Sequence, residues 1–148
     1  MHGLVLNLAI ATAMMAFTVV IHFFGIVLLL RLVSYHGRRV AHLSPNLRHG
    51  LLLLAAVLGI IFLHTLEIWA YAILFLQLDA IQDFESALYF STVSFTSLGY
   101  GDIVLGPEWR MLGAIEAANG LILFGWSTAF LFSLMNKVRT FEHDWLER

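Results

Sequence analysis

The sequence predicts an all-α membrane protein with three spanning helices and one short helix that enters the bilayer without crossing it. Three observations carry this. Of the 148 residues, 60% are apolar and only 12% charged, with mean hydropathy +0.85, a composition outside the range of soluble domains. Three apolar runs, 1–30, 51–78 and 109–138, are each long enough, at about 1.5 Å per residue, to cross roughly 30 Å of hydrocarbon. A fourth, 84–95, is too short to cross and closes on a glycine-containing loop. Backbone that turns back inside a bilayer is tolerated only where protein surrounds it.

Residues 1–30 contain no Asp, Glu, Lys or Arg. No basic segment precedes the run, and it is too long for a signal peptide, so it reads as a first span, taken to residue 33. Residues 34–50 form a basic connection with Arg38, Arg39 and Arg48, and Arg31 stands just before it, with no acidic residue among them. Ser44-Pro45-Asn46 ends any helix before it and offers a start signal for the next. The second span, 51–78, carries His64 and Glu67, three apart and so on one helix face. An acidic connection, 79–85, leads into the short helix 84–95 and the loop Thr96-Ser97-Leu98-Gly99-Tyr100-Gly101-Asp102. The third span, 109–138, holds Glu116, and a charged tail, 139–148, carries Phe141 and Trp145 at i, i+4. That tail either extends the last helix or lies at the membrane interface.

Charge placement sets the expected orientation. The basic 34–50 loop faces the cytoplasm. The connections around the 96–102 loop hold Asp79, Asp83, Glu85, Asp102 and Glu108 against Arg110 alone, and face outside. The N-terminus is then outside and the C-terminus, with Lys137 and Arg139, inside. Trp69, Tyr71, Tyr89 and Trp109 are expected to form the outer aromatic belt. A net charge of −2 gives no sign of nucleic-acid binding, and the absence of cysteine excludes disulfides and thiolate metal sites. The length suits one membrane domain without a regulatory domain of ordinary size.

A short helix followed by T-x-x-G-Y-G-D, set between two spans, resembles the pore loop of the potassium channel family, whose usual pattern is Thr-Thr-Val-Gly-Tyr-Gly-Asp. The resemblance covers 51–138: outer helix 51–78, pore helix 84–95, selectivity filter 96–102 and inner helix 109–138. It implies an ion channel, not an enzyme, with K+ as permeant ion and no cofactor. In the family, backbone carbonyls from several subunits replace the hydration shell of the ion. Carried over, Thr96, Ser97, Leu98, Gly99, Tyr100 and Gly101 form the filter, with K+ at Ser97, Leu98, Gly99 and Tyr100. Gly99 and Gly101 supply backbone angles closed to residues with a Cβ. Ser97 adds a hydroxyl where the family has Thr, and Leu98 points its side chain back into protein. Tyr100 wedges against the pore helix, and Asp102 stands at the outer mouth. One loop per chain and no internal repeat imply a homotetramer with closed fourfold symmetry, in a lipid bilayer and, from the compact layout, a bacterial inner membrane. The first span is extra to the minimal pore, and without arginine at every third position it is not a voltage sensor.

On the inner helix, Gly120 and Gly125 match glycines of simple family members. Gly120 resembles a bending hinge, with close helix packing as the equal alternative. Leu121, Phe124 and Thr128 fall on the cavity face; Phe132 is the candidate gate, with Asn136 on the same stripe. Three departures concern bracing. Val93 stands where many members have a Glu to clamp the outer Asp, which leaves Asp102 without that partner, and Tyr89 and Phe90 stand where many have Trp. Of these two only Tyr89 can hydrogen-bond to Asp102. Glu67 is expected to reach behind the pore helix and brace the filter, and Glu116 to pair with a pore-helix hydroxyl such as Ser94 or Thr92, with gating by proton binding as the alternative for both; a charge in a span costs about 3 kcal/mol unless paired. Two other functions stay open: a weakly selective monovalent cation channel, because Ser97 and Leu98 alter the filter, and a haem- or quinone-linked membrane subunit of an electron-transfer enzyme, with His22 and His64 as haem ligands.

Overall fold

The computed structural model describes residues 2–40 and 42–146, with side chains except at 2, 38, 45 and 137–146. Four helices follow one another: α1 (His2–Arg39), α2 (Pro45–Gln77), α3 (Phe84–Phe95) and α4 (Arg110–Leu146). No strand occurs among the described residues. Three of the helices are long and apolar enough to span a membrane, over Gly3–Gly37, Asn46–Gln77 and Arg110–Asn136.

Local chemistry sets the ends. Ser44 stands at the N-cap of α2 with Pro45 at the first helical position, where the missing N–H costs nothing and φ is already helical. Asp83 caps α3, its carboxylate accepting the Ser86 N–H at 2.8 Å, with Glu85 adding negative charge in the first turn. That backbone hydrogen bond holds the Asp83 carboxyl below its ordinary range. The basic stretch after residue 30 is partly helix, since α1 continues to Arg39. No proline or glycine-rich break precedes Ser44-Pro45. The tail likewise continues α4, to Leu146; the side chains of Phe141 and Trp145 lie outside those described.

Pairings along the helices give their directions. Asn7 of α1 donates to the Glu108 carbonyl just before α4, Asn119 of α4 donates to Thr18 at 2.6 Å, and Ser127 of α4 lies 3.4 Å from His22. Both chains advance together, so α1 and α4 run the same way. Asn119 also donates to Tyr71 at 3.1 Å, and Ser127 meets His64 at 3.0 Å. Numbers on α2 fall as those on α4 rise, so α2 runs against both. Gly25 and Gly59 let α1 and α2 approach. A methyl at either would run into Leu63 or Leu29, the small-residue contact that brings helices together in lipid.

The distribution of side chains is inverted relative to a soluble protein. Phe17, Phe24, Leu28, Leu54, Leu58 and Phe62 face outward, while Asn7, Thr18, His22, His64, Glu67, Ser91, Glu116, Asn119 and Ser127 are buried. In hydrocarbon the apolar side chain has nothing to gain from burial, and the polar one has everything to gain from a partner. One apolar cluster joins Tyr71, Phe75, Ala87, Phe95, Leu112 and Leu123 around α3, and a second joins Leu29, Val33, Ala56 and Ile60 where α1 meets α2.

Candidate functional site

The 96–102 loop leaves α3 with its N–H groups tied back to the helix. Thr96 N–H donates to Thr92 O at 3.1 Å and Ser97 N–H to Ser94 O at 2.9 Å. Leu98 and Gly99 both donate to Val93 O, at 3.0 and 3.3 Å. In a planar trans peptide the carbonyl points opposite to the N–H that follows it. The carbonyls of Thr96, Ser97 and Leu98 are therefore turned away from α3.

Backbone handedness alternates along the same stretch. Ser97, Gly99 and Gly101 have φ of 59°, 61° and 75°, whereas Leu98 and Tyr100 stay out of the positive region. Alternation of this kind places successive N–H groups on one side of the chain and successive C=O groups on the other. At Gly99 and Gly101 a Cβ would meet open space, so glycine is required there by φ alone. Ser97 holds the left-handed conformation without that freedom, at a cost of about 1 kcal/mol or more.

The far end of the loop is fastened to α3 by Tyr89, whose hydroxyl donates to Asp102 Oδ2 at 2.6 Å. Val93 leaves Asp102 without the Glu clamp, and Tyr89, the bracing candidate, makes the contact. The residue four before Val93 lies on the same helix face, one turn nearer the loop's end, and supplies the hydrogen bond that Val93 cannot. The same bond holds the Asp102 carboxyl below its ordinary range. Leu98 and Tyr100 do not pack as expected within one copy: they stand 57% and 68% exposed, because the tethered N–H groups turn the loop outward. A groove of about 470 Å³ lies beside them, lined by Val93, Ser94, Gly99, Val104, Arg110 and Ala114 among others.

Gly120 is explained by packing. A Cβ there would collide with the Phe95 carbonyl at the end of α3, so α4 rests directly on the helix that leads into the loop. Gly125 faces open space. Phe124 is half-buried against Phe95 and His64, at ring separations of 5.7 and 4.4 Å, whereas Leu121, Thr128 and Phe132 are exposed. Tyr71 is fully buried and hydrogen-bonded to Asn119, so it is no part of an aromatic belt; Trp69 is 45% and Tyr89 39% exposed.

Glu116 meets a hydroxyl of α3, though not the two named, and Glu67 meets partners away from the filter. Glu116 bonds to Ser91, one turn back from Ser94 on α3, because Gly120 fixes how far α4 slides along it. Ser91 also reaches the Ile68 carbonyl at 2.9 Å. Glu67 does not reach the filter. Its two oxygens meet His22 Nδ1 and His64 Nδ1, each at 2.8 Å, with Ser127 Oγ bridging toward the other nitrogens of both rings. Two imidazoles 5.4 Å apart and joined through one carboxylate leave no slot for a porphyrin between them. Sequence reading missed Thr18, Ser91, Asn119 and Ser127; only Asn119, an amide in mid-span, carried a signal.

A family model described as "Ion channel" matches residues 51–137, which take in α2 after its first six residues, α3, the loop and α4 as far as residue 137. No curated protein and no solved structure matches the chain.

Proposed function

Since the chain belongs to the ion-channel family, as a potassium-channel pore-domain member, we propose that it is a potassium-selective channel whose 97–100 carbonyls stand in for the water of a dehydrated K+. The observation that carries this is the loop's backbone. The N–H groups of its first four residues are spent on α3, and its alternating φ leaves carbonyls free on the opposite side. An ordinary glycine turn has one left-handed residue or two adjacent ones, whereas this loop has them at every second position, 97, 99 and 101.

One loop cannot surround an ion, so the conducting unit is a homotetramer about a fourfold axis. The exposure of Leu98 and Tyr100, beside an open groove, supports a neighbouring copy packing there. The excess of arginine in the α1–α2 connection and of acid near the loop supports a cytoplasmic connection and an outward filter, in a plasma membrane. Leu121 and Thr128 would line the cavity and Phe132 narrow its inner end.

The test is ion flux into liposomes carrying the purified protein. Potassium entry that barium blocks, sodium entry well below it, and loss of both in Gly99→Ala are expected. Liposomes equally tight to every monovalent ion would refute the proposal. Equal reversal potentials in potassium and sodium would favour the weakly selective channel, the reading that Ser97 and Leu98 keep in view.

A further inference from the structure

We propose that His22, His64, Glu67 and Ser127 form a closed ring that binds one proton in the membrane interior and so fastens α1 to α2 and α4. The four side chains make four contacts: His22 Nδ1 with Glu67 Oε1 and His64 Nδ1 with Glu67 Oε2, both 2.8 Å; His64 Nε2 with Ser127 Oγ, 3.0 Å; and Ser127 Oγ with His22 Nε2, 3.4 Å. His22 and Glu67 are fully buried and His64 and Ser127 nearly so, at 6% and 4%.

Counting protons settles the ring's charge. Each contact is a hydrogen bond only if one proton lies on it, so four contacts need four protons. A carboxylate, two neutral imidazoles and a hydroxyl bring three. With three, one contact sets two lone pairs against each other, and the ring carries one negative charge in hydrocarbon. A fourth proton completes every contact and cancels the charge. It is held either as an imidazolium beside the Glu67 carboxylate or as a Glu67 acid beside two neutral imidazoles. These forms differ only in where the protons sit along the ring.

Among the described residues, the side chains that face the ring from α3 and α4 are uncharged. From α3 only the Phe95 ring faces His64, and α4 adds the rings of Phe124 and Trp126. The next titratable groups, Tyr71 on α2 and Glu116 on α4, bond elsewhere, to Asn119 and Ser91. A divalent metal held by His22, His64 and Glu67 would displace the two imidazole–carboxylate contacts and leave net positive charge in hydrocarbon.

The sign of the pH dependence follows. An unfolded chain binds on average one proton between two ordinary histidines near about pH 6.5. Above that the folded ring holds more protons than the unfolded chain, and below it fewer. Stability therefore peaks near about pH 6.5 and falls on both sides, by up to about tenfold in the folding equilibrium per pH unit. Glu67→Gln reproduces the acid form, since its amide donates to one imidazole and its carbonyl accepts from the other. That variant needs no fourth proton.

The experiment is the thermal unfolding of the full-length protein in lipid nanodiscs from roughly pH 5 to pH 9, with metal analysis of the same sample. It needs no ion flux, so it can fail while the channel reading stands, and the reverse. Wild type is expected to lose Tm toward both ends, and Glu67→Gln only toward the acid end. Ser127→Ala removes two of the four contacts but leaves the carboxylate's charge, so it is expected to make the alkaline arm shallower than in wild type, and it serves if Glu67→Gln does not fold. Alkaline arms that run parallel in wild type and variant, or one equivalent of bound metal, would overturn the proposal.

Discussion

Single hydroxyls do a large share of the positioning. The Tyr89 hydroxyl ties the end of the loop to α3 and lowers the Asp102 carboxyl. A depressed carboxylate contributes stability above its unfolded value, about 3.9, and loses it as pH falls through the folded value; this tie is therefore complete at neutral pH. In Tyr89→Phe the Asp102 carboxyl should titrate closer to the ordinary value, read from its carbon-13 shift. Potassium current at steady voltage should also decay faster than in wild type. An unchanged shift and an unchanged decay would mean the bond restrains nothing. Ser91 makes a second such case. It has one proton and touches the Ile68 carbonyl, which only accepts, as well as Glu116. The Glu116 contact then needs a proton from Glu116 itself. Glu116→Gln should unfold at nearly the wild-type temperature, while Glu116→Ala, which strands Ser91 and opens a cavity, should lose about 2 kcal/mol or more by thermal unfolding.

Among elements, the α3–α4 crossing decides the geometry of the loop. Gly120 seats α4 on the Phe95 carbonyl, one residue before the loop begins. Backbone cannot yield as a side chain does, so Gly120→Ala should cost about 1–3 kcal/mol by overpacking and reduce flux together with stability. Gly59→Ala provides the contrast. Its methyl would press only on the Leu29 side chain, which can turn aside, so a loss of about 1 kcal/mol or less is expected. Similar losses in both variants would show that the backbone contact has no special weight. The two glycines look alike in the sequence, and only the atom each one faces separates them.

For the whole molecule, α1 is structural to the pore-bearing helices. It supplies Thr18 to Asn119 and His22 to Glu67. A chain beginning at Ser44 would take one hydrogen-bond partner each from Asn119 and Glu67 and uncover both toward lipid, each a cost of about 1–3 kcal/mol. Such a chain, although it keeps the 51–137 family match, should fail to accumulate as a folded assembly on size-exclusion chromatography, whereas the full chain should run near four times 16.7 kDa. Recovery of a folded, potassium-conducting truncation would show that α1 is dispensable.

The three spans, the short helix and the T-S-L-G-Y-G-D loop are legible in the sequence because each rests on local chemistry. Apolar length, an Asp-x-x-Ser cap and glycines at alternate positions act through near neighbours in the chain. The His22 partner of Glu67, the choice of Ser91 for Glu116 and the Thr18 and Tyr71 partners of Asn119 are not legible in this way. Within a span any polar side chain must find another, and which one it meets depends on the rotation and slide of neighbouring helices. Those are set by the close approaches at Gly25, Gly59 and Gly120. The types and order of the elements therefore belong to the sequence alone. The joining of His22, His64, Glu67 and Ser127, from three helices and as many as 105 positions apart, was decided only by tertiary packing.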